Sequence, residues 1–178
     1  MGRQLSLGDL MIRRLLLVGA LVFGASAAYA DVVPEPAGVA PDIFVKSLYD
    51  TKLESEAVSG EYGRAVTDSL ILTHFSAGLL ALYKNIYYFD EPVIDGDVFM
   101  MAQEWAPTDV ATKTTAETPD TATVEARFKI NNEDRKVIFS LKKLRDSWEI
   151  DDISDGDGGI RKWIGDALPK ASPPPPPG

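Results

Sequence analysis

Beyond residue 120 the chain alternates. Ala122, Val124, Ala126, Phe128 and Ile130 fall on one side of an extended segment, and Thr123, Glu125, Arg127 and Lys129 on the other. A period of two with one apolar and one polar set marks an antiparallel strand packed on a core and wetted on its back. Asn131-Asn132-Glu133-Asp134 predicts a turn. Val137, Phe139 and Leu141, set against Lys136, Ile138, Ser140 and Lys142, predict the return strand. Arg145-Asp146-Ser147 turns again, ahead of a third strand over residues 148–153. Val110 to Glu117 is a weaker, polar run that suits a sheet edge.

Upstream the period is helical. Asp42 is placed to cap a helix reaching about Ala57, with Val45, Leu48, Tyr49, Leu53 and Ala57 along one stripe. Gly60 and Gly63 interrupt it, and Thr67 or Asp68 opens a second helix carrying Leu70, Ile71 and Leu72. Ser76 reads as a fresh cap, because Phe75 before it and Leu80 after it are spaced for a hydrophobic staple. Leu79, Leu82, Tyr83, Ile86 and Tyr87 then repeat at core spacing. Pro92, Asp95 and Gly96 end the helical half, apart from a short helical turn near Phe99 to Glu104. A last helix over 159–168 sets Ile160, Trp163 and Ile164 on one side. Helices first and a meander afterwards predict an α+β domain, its N-terminal helices packed on a curved antiparallel sheet of about four strands. A twisted sheet roofed by helices leaves a conical hollow, where a pocket is expected.

The two ends differ from this body. Residues 1–30 read as an export signal: Met11-Ile12-Arg13-Arg14 is the basic start, residues 15–23 the apolar centre, and Ala28-Tyr29-Ala30 the small-residue processing site. Met11 is better placed than Met1 to begin such a signal. The apolar run is too short to span a bilayer, so the mature chain is expected to start near Asp31, periplasmic or secreted. Residues 31–40 hold two prolines and predict a flexible lead-in. One domain then occupies 41–168, and 169–178 forms a proline-rich tail. No second apolar stretch follows the signal, so no membrane anchor is expected after cleavage.

Charge and cysteine content narrow the chemistry. The chain carries 27 acidic and 18 basic side chains, a net charge of −9. Loss of residues 1–30 removes three arginines and one aspartate and takes it to −11. So acidic a protein is repelled by nucleic acid and by anionic membrane surfaces, and no nucleic-acid partner is expected. Cysteine is absent, which excludes disulfides, thiolate nucleophiles, cysteine-held metal and lipid attachment at a new N-terminal cysteine.

Three stretches carry a resemblance. Residues 75–80 (Phe-Ser-Ala-Gly-Leu-Leu), 97–105 (Asp-Val-Phe-Met-Met-Ala-Gln-Glu-Trp) and 148–153 (Trp-Glu-Ile-Asp-Asp-Ile) resemble a family of small exported bacterial proteins classed as a domain of unknown function. That family is similar to the nuclear transport factor 2-like fold. The resemblance spans roughly residues 41–155. It implies a cone-shaped α+β fold and an exported location, and it supplies no catalytic residues.

The candidate ligand-binding residues are Gln103, Trp105, Asp152 and Tyr83. Strand parity places Asp152 with Trp148 and Ile150, toward the hollow, where desolvation would raise its pKa and fit it for general-base work. If the sheet ends earlier, Asp152 instead caps a turn. Gln103 and Trp105 are positioned to line the pocket mouth, or simply to close the sheet against the helices. His74 stands alone among histidines, and no nucleophile or orienting group accompanies it, so no catalytic residue is assigned. The acidic run Asp151 to Gly158 fails as a calcium loop. Ile153 occupies the third ligand position and Lys162 the place of the closing glutamate. No metal and no cofactor are therefore expected.

These features favour an exported soluble protein without catalysis that binds a ligand, either a small molecule or a periplasmic protein. The alternative is an isomerase or hydrolase using Asp152 as base with Tyr83 or Tyr87 as acid. The outer sheet face, with Glu125, Arg127, Lys129, Lys136 and Lys142, reads as solvated and gives dimerisation little support. Oligomeric state stays open.

Overall fold

Two left-handed asparagines set the register of the sheet. Asn131 (φ 53°) and Asn132 (φ 65°) form a two-residue turn, whose twist matches that of the strands it joins. Ile130 consequently pairs with Glu133, and the expected four-residue turn contracts to two. The computed structural model describes residues 38–59, 64–88, 93–94, 96–103 and 107–168. The export signal and the proline tail lie outside them. Among the described residues the strands form one antiparallel meander: β1 (Thr108–Glu117), β2 (Thr121–Ile130), β3 (Glu133–Leu144) and β4 (Ser147–Ser154). β2 begins and ends where its alternation predicts.

The helices precede and follow this sheet. α1 (Pro41–Ser59) crosses β1 and β2. It starts at Pro41, one residue before the expected cap, since a proline lacks only an N–H that the first turn leaves unpaired anyway. Phe44, Val45, Leu48 and Tyr49 are buried on its inner stripe. The stripe then continues through Lys52, not Leu53, which is only half-buried. α2 (Arg64–His74) opens ahead of Thr67, whose hydroxyl donates to Asp97 Oδ2 at 3.0 Å and does not cap the helix.

Ser76 does cap the next helix, α3 (Ala77–Tyr83), accepting from the Leu79 N–H at 3.1 Å. Its own N–H reaches the Ile150 carbonyl at 2.8 Å, and Phe75 bridges Ile150, which ties the helical half to β4. A 3-10 turn, Lys84–Tyr88, extends α3. α4 (Ile160–Ala167) buries Ile160 and Ile164, with Trp163 half-buried beside them. Among the described residues the result is an α+β arrangement of four α-helices and four antiparallel strands.

The expected hollow is filled. Tyr49 from α1 packs at 5.6 Å from Phe128 and 6.0 Å from Phe139, and Phe99 stacks on Phe139 at 6.5 Å. The Tyr49 hydroxyl donates to the Phe99 carbonyl at 2.8 Å. Phe99 arrives from a tight loop, 96–102, with a single helix-type turn in which the Met101 N–H donates to the Asp97 carbonyl at 2.8 Å; Glu104, the end of the expected helical turn, lies outside the described residues. The loop closes with Asp97 N–H on the Ala102 carbonyl at 2.9 Å. Gly96 (φ 121°) permits that closure, since a Cβ would lie 2.3 Å from the Ala102 oxygen.

Candidate functional site

Asp152 does not face the core. The β3–β4 ladder pairs Leu141 with Ile150 but Ser140 with Asp152, so Asp151 is an extra residue, a bulge. A bulge reverses parity beyond it, and Ile153, not Asp152, turns inward and is fully buried. Asp152 Oδ1 instead accepts the Arg161 N–H at the start of α4 and the Ile153 N–H, each at 3.0 Å. A carboxylate at a helix start satisfies an otherwise unpaired donor and complements the helix dipole. Gly159, the residue before α4, leaves it room: a Cβ there would lie 2.4 Å from Asp152 Oδ2.

The bulge residue is equally committed. Asp151 Oδ1 accepts from Ser76 Oγ at 2.8 Å and from Arg161 Nη2 at 2.7 Å, with Lys142 Nζ at 3.3 Å. The Arg161 Nε also donates to the Asp151 carbonyl. Burial works to raise the Asp151 pKa, but the bonds from Ser76 and Arg161 and the nearby cations outweigh it and hold the carboxyl below its ordinary value. A depressed carboxylate contributes stability that is complete above the unfolded value, near about 4, and is lost as pH falls through the lower folded value. Urea unfolding of the wild type should therefore weaken on acidification through that range. Asp151→Asn should start lower at neutral pH and show a flatter acid limb; an identical acid dependence in both would remove Asp151 from the clamp.

A second ionic centre links α1 to α2 and to the 96–102 loop. Lys52, 3% exposed, donates to Asp97 Oδ2 and to Thr67 Oγ1, and its ammonium lies 5.3 Å from the Phe99 ring centroid. Asp97 Oδ1 accepts the N–H groups of Phe99 at 2.8 Å and Met100 at 3.2 Å. Sequence reasoning missed this pair because Lys52 occupies a stripe position where periodicity expects an apolar side chain. The signal available was Asp97 following Gly96, a loop cap rather than a helix start.

Asp97 also borders a cleft of about 490 Å³. Val93 and Ile94 form one wall, Met101 belongs to the tight loop, and Trp163 and Asp166 come from α4. Met101 adopts φ 51°, a left-handed conformation uncommon for a side-chain-bearing residue. Among the described residues, neither Tyr83, Gln103 nor Asp152 is in the lining of this cleft. Tyr83 packs edge-on against Phe75 at 5.6 Å, Gln103 is exposed just past the loop, and Asp152 serves α4. The three sit on separate elements. Trp105 and the Tyr87 side chain lie outside the described residues. His74 is buried against Phe44 at 5.4 Å, a packing role. In the acidic loop, Asp155 Oδ1 accepts the N–H groups of Asp157 and Gly158 at 3.0 and 3.3 Å, a turn of its own.

No protein-family model and no curated protein matches the chain. A solved structure is similar: a chain of the type VI native effector-immunity complex Tae3-Tai3 from Ralstonia pickettii. The TM-score is 0.51 at 18% identity, over 65% of this chain and 94% of that one. At such identity the likeness concerns the fold alone. No helix among the described residues is long and apolar enough to cross a membrane.

Proposed function

We propose that the protein is an exported, non-catalytic domain that binds another protein, in the manner of one half of an effector–immunity pair. The observation that carries this reading is the commitment of both β4 carboxylates to the fold's own donors, beneath a core closed by aromatic rings. Asp152 is the base on which an acid–base enzyme would have rested, and it and its neighbour Asp151 each hold two or more internal partners. What remains for recognition is surface. The solved relative in fold belongs to a complex of two proteins, which supports a protein as the partner. The basic start, short apolar centre and Ala28-Tyr29-Ala30 site support export to the periplasm or beyond. On this reading the framework is of the nuclear transport factor 2-like kind, with its cone filled.

A second reading rests on the cleft beside Trp163. Its volume lies within the range of about 300–1,000 Å³ typical of small-molecule sites, so a small ligand there is the competing reading. The isomerase or hydrolase alternative gains nothing from it, because Asp152 is not among its walls. Affinity purification of the tagged full chain from its own periplasm, followed by native mass spectrometry, separates the two. A stoichiometric protein partner is the expected result. Retention of a small molecule alone, or of nothing, sinks the proposal.

A further inference from the structure

The outer face of the sheet departs from the acidity of the rest. Lys113 lies opposite Glu125 across β1 and β2, and Arg127 lies directly opposite Lys136 across β2 and β3. Arg127 pairs with Glu125 at 2.6 Å. Three cations thus surround one carboxylate, in a chain whose net charge is −9. The Glu125 carboxyl feels all of them: a hydrogen bond from Arg127 and the charges of Arg127, Lys136 and Lys113 together lower its pKa. Farther along the same face, Lys129 is opposite Asp134, and Lys142 is opposite Glu149. Lys129 also pairs with Asp109 at 3.3 Å and Lys142 with Asp151 at 3.3 Å, so each of these lysines has two carboxylates beside it, and the positive surplus is confined to Lys113, Arg127 and Lys136 around Glu125.

Like charges set directly opposite on neighbouring strands weaken a sheet. A register that places Arg127 against Lys136 therefore runs against stability at an exposed position where a threonine would serve better. Glu125 answers one of the three cations, and local rules broken beyond what the fold compensates tend to mark functional surface. Ile138, half-buried next to Glu125 on the same face, adds an apolar spot at the centre of the patch.

We infer that the outer face of β1–β3, centred on Arg127, Lys136 and Lys113, is the docking surface for an acidic segment of a protein partner. The inference rests on the reading that the partner is a protein, and it names the face and the partner's chemistry. Charge complementarity selects the occupant. The surplus is compact and suited to one or two carboxylates, which a guanidinium takes in bidentate fashion. A long polyanion such as nucleic acid or an anionic bilayer would meet the repulsion of the whole chain.

The test uses the full chain and the double variant Arg127→Thr/Lys136→Thr. The probe is a decapeptide of alternating Glu and Thr, followed by amide NMR at low salt. In the wild type, the amides of Lys113, Glu125, Arg127 and Lys136 should shift, and the variant should bind at least tenfold more weakly. Its thermal midpoint should be no lower than the wild type's, which a merely structural role would not give. Shifts confined to other surfaces, equal binding by the variant, or binding to phosphatidylglycerol vesicles in place of the peptide would each overturn the inference. The periplasmic capture separates the two levels. A partner retained equally by wild type and variant sinks the docking face and leaves the protein-binding reading standing. A wild type that retains no partner sinks that reading, whatever the peptide does.

Discussion

Asp97→Ala should destabilise the fold by about 3–5 kcal/mol, the range for breaking a buried ion pair from one side. Lys52 is almost wholly withdrawn from water and has Asp97 as its carboxylate partner. Removing that carboxylate takes a charged acceptor from a buried ammonium, a loss that the Thr67 hydroxyl and the Phe99 ring offset only in part. The same substitution releases the N–H groups of Phe99 and Met100, so the loop that delivers Phe99 into the core loses its cap. The double variant Lys52→Met/Asp97→Asn separates these effects. Asparagine retains an oxygen for the two N–H groups, methionine fills the lysine's space without charge, and most of the lost stability should return. Equilibrium denaturation with urea gives the comparison. A single variant within about 1 kcal/mol of wild type would show that the ion pair lies in water.

The strands were legible because a period of two carries its own consequences. Ala122 to Ile130 and Val137 to Leu141 go inward on alternation alone, and their register follows from where the hairpin turns. Ser76 was legible for a similar reason, since cap and staple are local in sequence. What alternation does not encode is a bulge. One extra residue at Asp151 moved Asp152 from the core side to the start of α4, and no local preference announces it. The run Val98-Phe99-Met100-Met101 has helical apolarity, yet Gly96 and Asp97 close it into a loop whose partners, Lys52 and Thr67, are 45 and 30 residues away. Phe99, the ring that stacks on Phe139 between helices and sheet, is delivered by this loop.

Phe139→Ala should cost about 3–5 kcal/mol, as large-to-small substitutions of fully buried aromatics do. Its ring is completely enclosed, stacked on Phe99 at an interplanar angle of 22° and met edge-on by Tyr49. Truncation forfeits both ring contacts and opens a space that α1 and β3, held at both ends by the meander, can only partly close. Ile138, the next residue, points to the outer face, so Ile138→Ala should remain within about 1 kcal/mol of wild type, as for a partly exposed aliphatic. Neighbouring positions with such different costs test the face assignment more sharply than either substitution alone. The cavity has a second readout. An apolar void of this kind stays dry and takes up benzene, so benzene should raise the thermal midpoint of Phe139→Ala and leave the wild type unmoved. Stabilisation of the wild type by the same concentration would mean that the native fold already offers benzene a site, beneath the helices or in the cleft beside Trp163, and would favour a small apolar molecule over a protein surface as what this fold is shaped to hold.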